Sequence, residues 1–492
     1  MSTIALSLIS HTNAGKTTLA RTLLGRDIGE VRDAPHVTIE ATRYLLRETP
    51  AGDSLVLWDT PGFSDSARLA KRLAQSDNPI GWFLAQAWDR FRDRALYLSQ
   101  QAVRNVREHA DIVLYLVNAS EAPADAGYLA SELDVLAWIG RPVFVLLNQT
   151  GPPRPRADEE AEEARWREAV GTRPFIRGVI TLDAFARCWV QEIVLLRALA
   201  PAVPPDKREA YERLVLAWET RRSEQFGQAM AALAAPIADA ARDQVTIANT
   251  SVGAKLREAL RSVISETKRD DARQRAARAL ADRLDAGVRA STDRLIGIYS
   301  LEGRAADSVR DRLVEHVRTE LPLHEGKAAM VGGVLSGALS GLAADLLAGG
   351  LSLGAGTLIG AVGGALGGAG LARGYNVLRD RTEVVIRWDD ELLDSLAVSA
   401  LLRYLAVAHF GRGRGEWTEG EYPSFWHTVV QHELEARRPA LSRIWAQRDR
   451  RAEAEAIDAE LRAILAKAAH GVLDALYPEA ARRTSAREPA SP

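Results

Sequence analysis

Cysteine is all but missing from this chain: Cys188 is the single one in 492 residues. That excludes a disulfide framework and a zinc cluster built from thiolates, and it fits a reducing compartment such as the cytosol. Cys188 itself reads as a small core residue. Net charge is nearly missing too. The 63 Lys and Arg against 65 Asp and Glu leave −2. No global field then draws the chain to nucleic acid, and no specific nucleic-acid partner is expected. Hydrophobic residues are not scarce: at 47% they suffice for packed interiors, and the length is too great for one core, so two or three domains are expected. The first apolar run starts at Thr3, so no cleavable leader is expected ahead of it.

The alternating run Thr3-Ile4-Ala5-Leu6-Ser7-Leu8-Ile9 flows into Ser10-His11-Thr12-Asn13-Ala14-Gly15-Lys16-Thr17, and a periodic segment from Thr18 to Leu24 stops at Gly25. Strand, tight loop and helix in that order are the layout of a phosphate-binding P-loop. Backbone N–H groups of residues 13–18 would point at an anion, helped by the helix dipole. Lys16 adds a mobile charge for the β- and γ-phosphates, and the Thr17 hydroxyl is placed to ligate Mg²⁺. The first position of the loop is Ser10 where the usual pattern has Gly, and Ser resists positive φ.

A second acidic site is expected after a buried strand, and Ser54-Leu55-Val56-Leu57-Trp58 leads into Asp59-Thr60-Pro61-Gly62. A carboxylate there can hold Mg²⁺ through water, and the Gly62 N–H is free to meet a γ-phosphate. Thr38, between the two motifs, would complete the Mg²⁺ shell when a triphosphate is present. That makes residues 27–40 a candidate switch.

These residues resemble the first three motifs of the Era/TrmE-like GTPases. The resemblance implies GTP and GDP as ligands, Mg²⁺ held by Thr17, Thr38 and Asp59, and K⁺ held by Asn13. Lys16, Thr38 and Gly62 would act on the transferring phosphate. Phe63 follows Gly62 where Ras-type enzymes carry a water-orienting Gln, so intrinsic hydrolysis is expected to be slow, with K⁺, a homodimer partner or an activating protein completing the site. The apolar runs 111–117 and 142–147 read as strands buried on both faces. The second ends in Asn148-Gln149-Thr150-Gly151, where the family has Asn-Lys-x-Asp. Asn148 is expected on the base, with Gln149 and Thr150 beside it. Gly151 lacks the carboxylate that accepts from guanine N1 and N2, which leaves ATP as a rival ligand.

Residues 63–110, with Trp82, Phe83, Trp88, Phe91 and Tyr97, read as packing helices, and 152–170 as a surface insertion. Pro201, Pro204 and Pro205 mark a linker, and strand signals nearly vanish over 206–325, where apolar residues recur at three and four. Charge vanishes over 328–372 apart from Asp345, while Gly333, Gly337, Gly341 and then Gly356, Gly360, Gly364 and Gly368 recur at every fourth place. On a helix this is a smooth strip that lets helices approach closely. The two readings are a hairpin entering a membrane and a glycine zipper buried in a soluble bundle. His427 and His432, five apart, and His409 read as core or surface residues rather than a metal site.

The expected fold is an α/β P-loop NTPase domain, G-domain-like with a mostly parallel sheet, over 1–200. An all-α domain follows over 201–325, then a glycine-rich hairpin over 326–374, a C-terminal helical region over 375–480 and a disordered tail over 481–492. The whole resembles a bacterial family of Era-like GTPases with an uncharacterised C-terminal domain, through His-Thr-Asn-x-Gly-Lys-Thr, Asn-x-Thr-Gly and the glycine-rich segment. The expected function is a GTP-binding switch with slow Mg²⁺-dependent hydrolysis, cytoplasmic, at the inner face of the membrane if 328–372 makes that contact. The alternatives are a dynamin-like remodelling GTPase and a binding module without turnover.

Overall fold

The computed structural model describes residues 1–25, 41–63, 65–75, 94–150, 156–182, 188–248, 262–301, 375–379, 383–410, 424–448 and 454–478. The whole 27–40 segment with Thr38, Trp82, Phe83, Trp88, Phe91, Gly151, the glycine-rich 328–372 and the 481–492 tail lie outside them. The chain divides into two compact units, the first running from Met1 to Glu224 and the second taking up most of the remainder from Gln225.

The first unit is an α/β sandwich. Its strands are β1 (Thr3–Ser10), β2 (Thr42–Glu48), β3 (Ser54–Asp59), β4 (Ile112–Asn118), β5 (Val143–Asn148) and β6 (Ile176–Thr181). They form one sheet in the order β2-β3-β1-β4-β5-β6. All pairings are parallel except β2 with β3. Helices α1 (Lys16–Leu24), α2 (Ser66–Gln75), α3 (Arg94–His109), α4 (Leu129–Ile139), α5 (Arg156–Val170) and α6 (Trp189–Leu199) accompany it.

The uninterrupted apolar runs follow from burial on both faces. Alternate residues of β4 enter opposite layers: Val113, Tyr115 and Val117 pack with α3 and α4, while Ile112, Leu114 and Leu116 pack with α1 and α6. In the 152–170 stretch, α5 is mostly exposed but pinned by Trp166, 0% exposed in the first of these layers.

The proline-marked stretch is structured. Two 3-10 turns span 200–202 and 205–207, and Val203, Tyr211, Leu214 and Trp218 join the second layer. The start of α7 (Arg208–Arg242) is tied down by ions: Lys207 Nζ reaches Asp111 at 2.7 Å, and Glu192 accepts from Trp218 Nε1 at 2.7 Å and from Arg222 at 2.7 and 2.9 Å.

The second unit is mainly helical, as expected: the later part of α7, α8 (Ser262–Ile298), α9 (Asp390–Ala408), α10 (Ser424–Glu435), α11 (Arg438–Gln447) and α12 (Ala454–Leu476). Strands were not anticipated there, yet β7 (Gln244–Ala248), β8 (Tyr375–Arg379) and β9 (Glu383–Trp388) make an antiparallel sheet in the order β7-β9-β8. Its core holds Leu233, Leu284, Leu401, Tyr404, Trp426 and Trp445. Arg403 is buried among them and donates to the Val288 carbonyl and Thr292 Oγ1. His409 is buried and His432 is exposed, and no group of three or more His, Cys, Asp or Glu is gathered to hold a metal among the described residues.

Candidate phosphate-binding site

The parallel sheet brings three chain segments to the carboxyl ends of its strands, where open α/β sheets bind ligands. They are the 10–17 loop after β1, residues 59–63 after β3, and 148–150 after β5. Register places Leu8 opposite Asp59, so the carboxylate sits beside the loop.

Ser10 needs no left-handed backbone. The positive φ values in the loop belong to Asn13 at 66° and Gly15 at 86°, residue types that tolerate them. Ser10 instead contributes its hydroxyl: Lys16 Nζ donates to Ser10 Oγ at 2.8 Å. Gly15 is required for a second reason, since a Cβ there would lie 2.5 Å from Asn148 Nδ2. Thr18, buried behind the loop, gives its carbonyl to Thr22 Oγ1 inside α1.

Thr17 Oγ1 donates to Asp59 Oδ2 at 2.7 Å. Asp59 is 2% exposed, and its Oδ1 has no hydrogen-bond partner. A buried carboxylate oxygen of this kind, aimed beside a hydroxyl at a phosphate loop, fits Mg²⁺ with its water shell. Burial pushes the Asp59 carboxyl up, while the Thr17 hydrogen bond and the Lys16 charge oppose it. Burial also pulls the Lys16 ammonium down to about 8 against the charges of Asp59 and Glu132.

Gly62 comes close to both groups: a Cβ on it would lie 2.9 Å from Lys16 Nζ and 3.1 Å from Thr12 Cα. The Phe63 N–H donates to the Ser10 carbonyl at 2.8 Å, and its carbonyl accepts from Thr12 N–H at 3.1 Å and Thr12 Oγ1 at 2.9 Å. The Phe63 side chain is 0% exposed in the core, so it offers nothing polar to a water.

The structure gives Asn148 a loop-holding contact: it is 0% exposed and donates Nδ2 to the Ala14 carbonyl at 2.8 Å. Gln149 Nε2 reaches the Asn13 carbonyl at 3.4 Å, which brings the residue standing in the family's Lys position onto the loop. Thr150 follows, partly exposed, and the Asn13 side chain faces solvent. Ser10, Lys16, Thr17, Asp59, Gly62, Asn148 and Gln149 are thus gathered around one loop, and Thr38 lies outside the described residues.

Sequence reasoning missed Glu132. This carboxylate in the first turn of α4 is 0% exposed and lies 2.8 Å from His11 Nδ1, and it accepts from Tyr115 O–H at 2.7 Å. The only signal for it was one acid on an otherwise apolar helix face.

The fold is that of a P-loop GTPase domain, and residues 6–149 match the family described as 50S ribosome-binding GTPase. Residues 172–470 match a domain of unknown function, DUF3482, over more than half of the 492 residues. The chain belongs to the DUF3482 family.

Among solved structures, it is similar to Era of Aquifex aeolicus bound to GDP·AlF4⁻, at 16% identity and a TM-score of 0.31, over 42% of this chain and 58% of that one. It is also similar to Era with MgGDPNP and a segment of 16S ribosomal RNA, at 14% identity and a TM-score of 0.30, over 51% and 72%. A bacterial selenocysteine-specific elongation factor aligns at 13% identity and a TM-score of 0.26, over 44% and 29%. The chain thus spans little more than half the length of the first of these. No curated protein matches it.

Proposed function

We propose that the protein is a guanine-nucleotide switch of the Era/TrmE branch that hydrolyses GTP slowly with Mg²⁺. The observation that carries this reading is the convergence on one loop of the Lys16 ammonium, the Thr17–Asp59 pair with its unpartnered Oδ1, and the close approach of Gly62. Lys16 and the backbone of 13–18 cradle the phosphates, and the Gly62 N–H meets the γ-phosphate. Thr17, Asp59 and Thr38 would hold Mg²⁺, which neutralises charge on the phosphate oxygens when bound. Asn148, Gln149 and Thr150 flank the base, and Asn13 is the candidate K⁺ ligand. The buried Phe63 supports slow intrinsic turnover, because that position supplies no side chain to orient water. An activating protein, a homodimer partner or K⁺ then raises the rate.

The near absence of charge over 328–372 supports membrane contact by that segment. The proposed location is accordingly the cytoplasm, at the inner face of the membrane. Phosphate release by wild type and Lys16→Ala, with GTP, ATP and XTP in competition, tests the reading. Lys16-dependent release with GTP preferred is expected. Equal release by both proteins, or ATP winning by about tenfold (about 1.4 kcal/mol), overturns it.

A further inference from the structure

Glu132 is a buried carboxylate to which the nucleotide chemistry assigns no task. Burying such a group costs free energy unless hydrogen bonds compensate. Here Tyr115 O–H donates to Oε2 at 2.7 Å, and His11 Nδ1 lies 2.8 Å from Oε1. The His11 ring is also stacked on Tyr128, with centroids 4.2 Å apart and planes 11° from parallel.

The imidazole is therefore fixed on two sides, and it belongs to the residue that follows Ser10 in the phosphate loop. The main chain of His11 forms an isolated parallel bridge with Phe63. On either side of it, Ser10 and Thr12 make the hydrogen bonds to Phe63 that hold the end of the β3 motif against the loop. Gly62, the residue before Phe63, is in this way held near Lys16 Nζ.

We propose that Glu132 and His11 are positioning residues for the γ-phosphate: their side-chain bond holds the loop entrance against Phe63 and so sets where the Gly62 N–H stands. The proposal rests on the guanine-nucleotide reading for its consequence, and on the contacts above for its geometry. Neither residue touches the reacting atoms. A diphosphate engages Lys16 and the loop amides but makes no demand on Gly62, so the clamp bears on the triphosphate alone.

The test uses the full chain carrying His11→Ala, His11→Asn, whose amide can meet Glu132 where Nδ1 does, and Glu132→Met, of similar volume without an acceptor. Hydrogen exchange at the Thr12 and Phe63 amides is measured without added nucleotide. Affinities for GDP and for a non-hydrolysable GTP analogue are measured with Mg²⁺. H11A is expected to speed exchange at both amides by about tenfold while β4 and β5 stay protected. Its preference for triphosphate over diphosphate is expected to fall about fivefold or more, with GDP affinity within about twofold. H11N is expected to restore both, and E132M to match H11A in amide exchange and in its lowered preference for triphosphate over diphosphate. If E132M does not fold, the His11 pair decides.

Unchanged exchange in H11A, equal losses for both nucleotides, or an H11N protein no better than H11A overturns the proposal. A wild type that binds neither nucleotide sinks the guanine-nucleotide reading instead. In that case the exchange rates alone uphold or overturn the clamp.

Discussion

Lys16 is the residue on which the proposed chemistry turns, and its protonation follows from its surroundings. Burial lowers its pKa to about 8 in the protein alone. A bound phosphate favours the ammonium and raises that value. Below about pH 8 the ammonium is already charged, and binding takes up no proton. Above it, binding must take up one, so nucleotide affinity falls by up to about tenfold per pH unit, or about 1.4 kcal/mol. Titration with a fluorescent nucleotide from pH 7 to 9.5 checks this, and a Lys16→Arg protein, charged throughout, is expected to give a flat profile.

At this scale the sequence was readable where function demands a spacing. Lys16 and Thr17 stand out from the strand–loop–helix pattern, and Asp59 and Gly62 from the motif after a later buried strand, whereas Asn148, expected on a base, has its amide on the Ala14 carbonyl. Ser10 was misjudged as a liability, because sequence alone does not say which residues take positive φ; Asn13 and Gly15 do so. Glu132 was invisible because its partner His11 is 121 positions away.

Among elements, the most consequential joint is that between α6 and α7. Glu192, 1% exposed, accepts from Trp218 Nε1 and from two nitrogens of Arg222. Glu192→Ala takes that acceptor from all three. The expected cost is about 3–5 kcal/mol, the usual result of breaking a buried ion pair from one side. Urea unfolding of the wild type and E192A is the check, read as a lower midpoint with unchanged slope.

The strands of the nucleotide domain were legible as long apolar runs. The antiparallel sheet of the second unit was not, since β7, β8 and β9 are five or six residues each. The partner of Gln244 is Arg387, far along the chain, and such pairing leaves no local signature.

For the molecule as a whole, the DUF3482 match begins at 172, inside the nucleotide domain, and ends at 470. The two regions that match known families therefore leave little of the chain between them. No helix among the described residues is long and apolar enough to cross a membrane. The case for membrane contact rests wholly on 328–372. In flotation with anionic vesicles, wild type is expected to rise with the lipid. A protein in which 328–372 is replaced by a short Gly-Ser linker is expected to stay in the dense fractions while keeping its nucleotide affinity. Equal flotation of the two refutes the membrane role of that segment.

The glycine-rich stretch does not hang from the chain's end. On one side lies Leu301, buried just after α8, and on the other Tyr375, the first residue of β8. The five rungs from Tyr375↔Trp388 to Arg379↔Val384 tie β8 to β9. Anything that took hold of the span between those pegs would pull on α8 at one end and on this ladder at the other, so a tug there is a mechanical event for the second unit and not the swing of a loose tail.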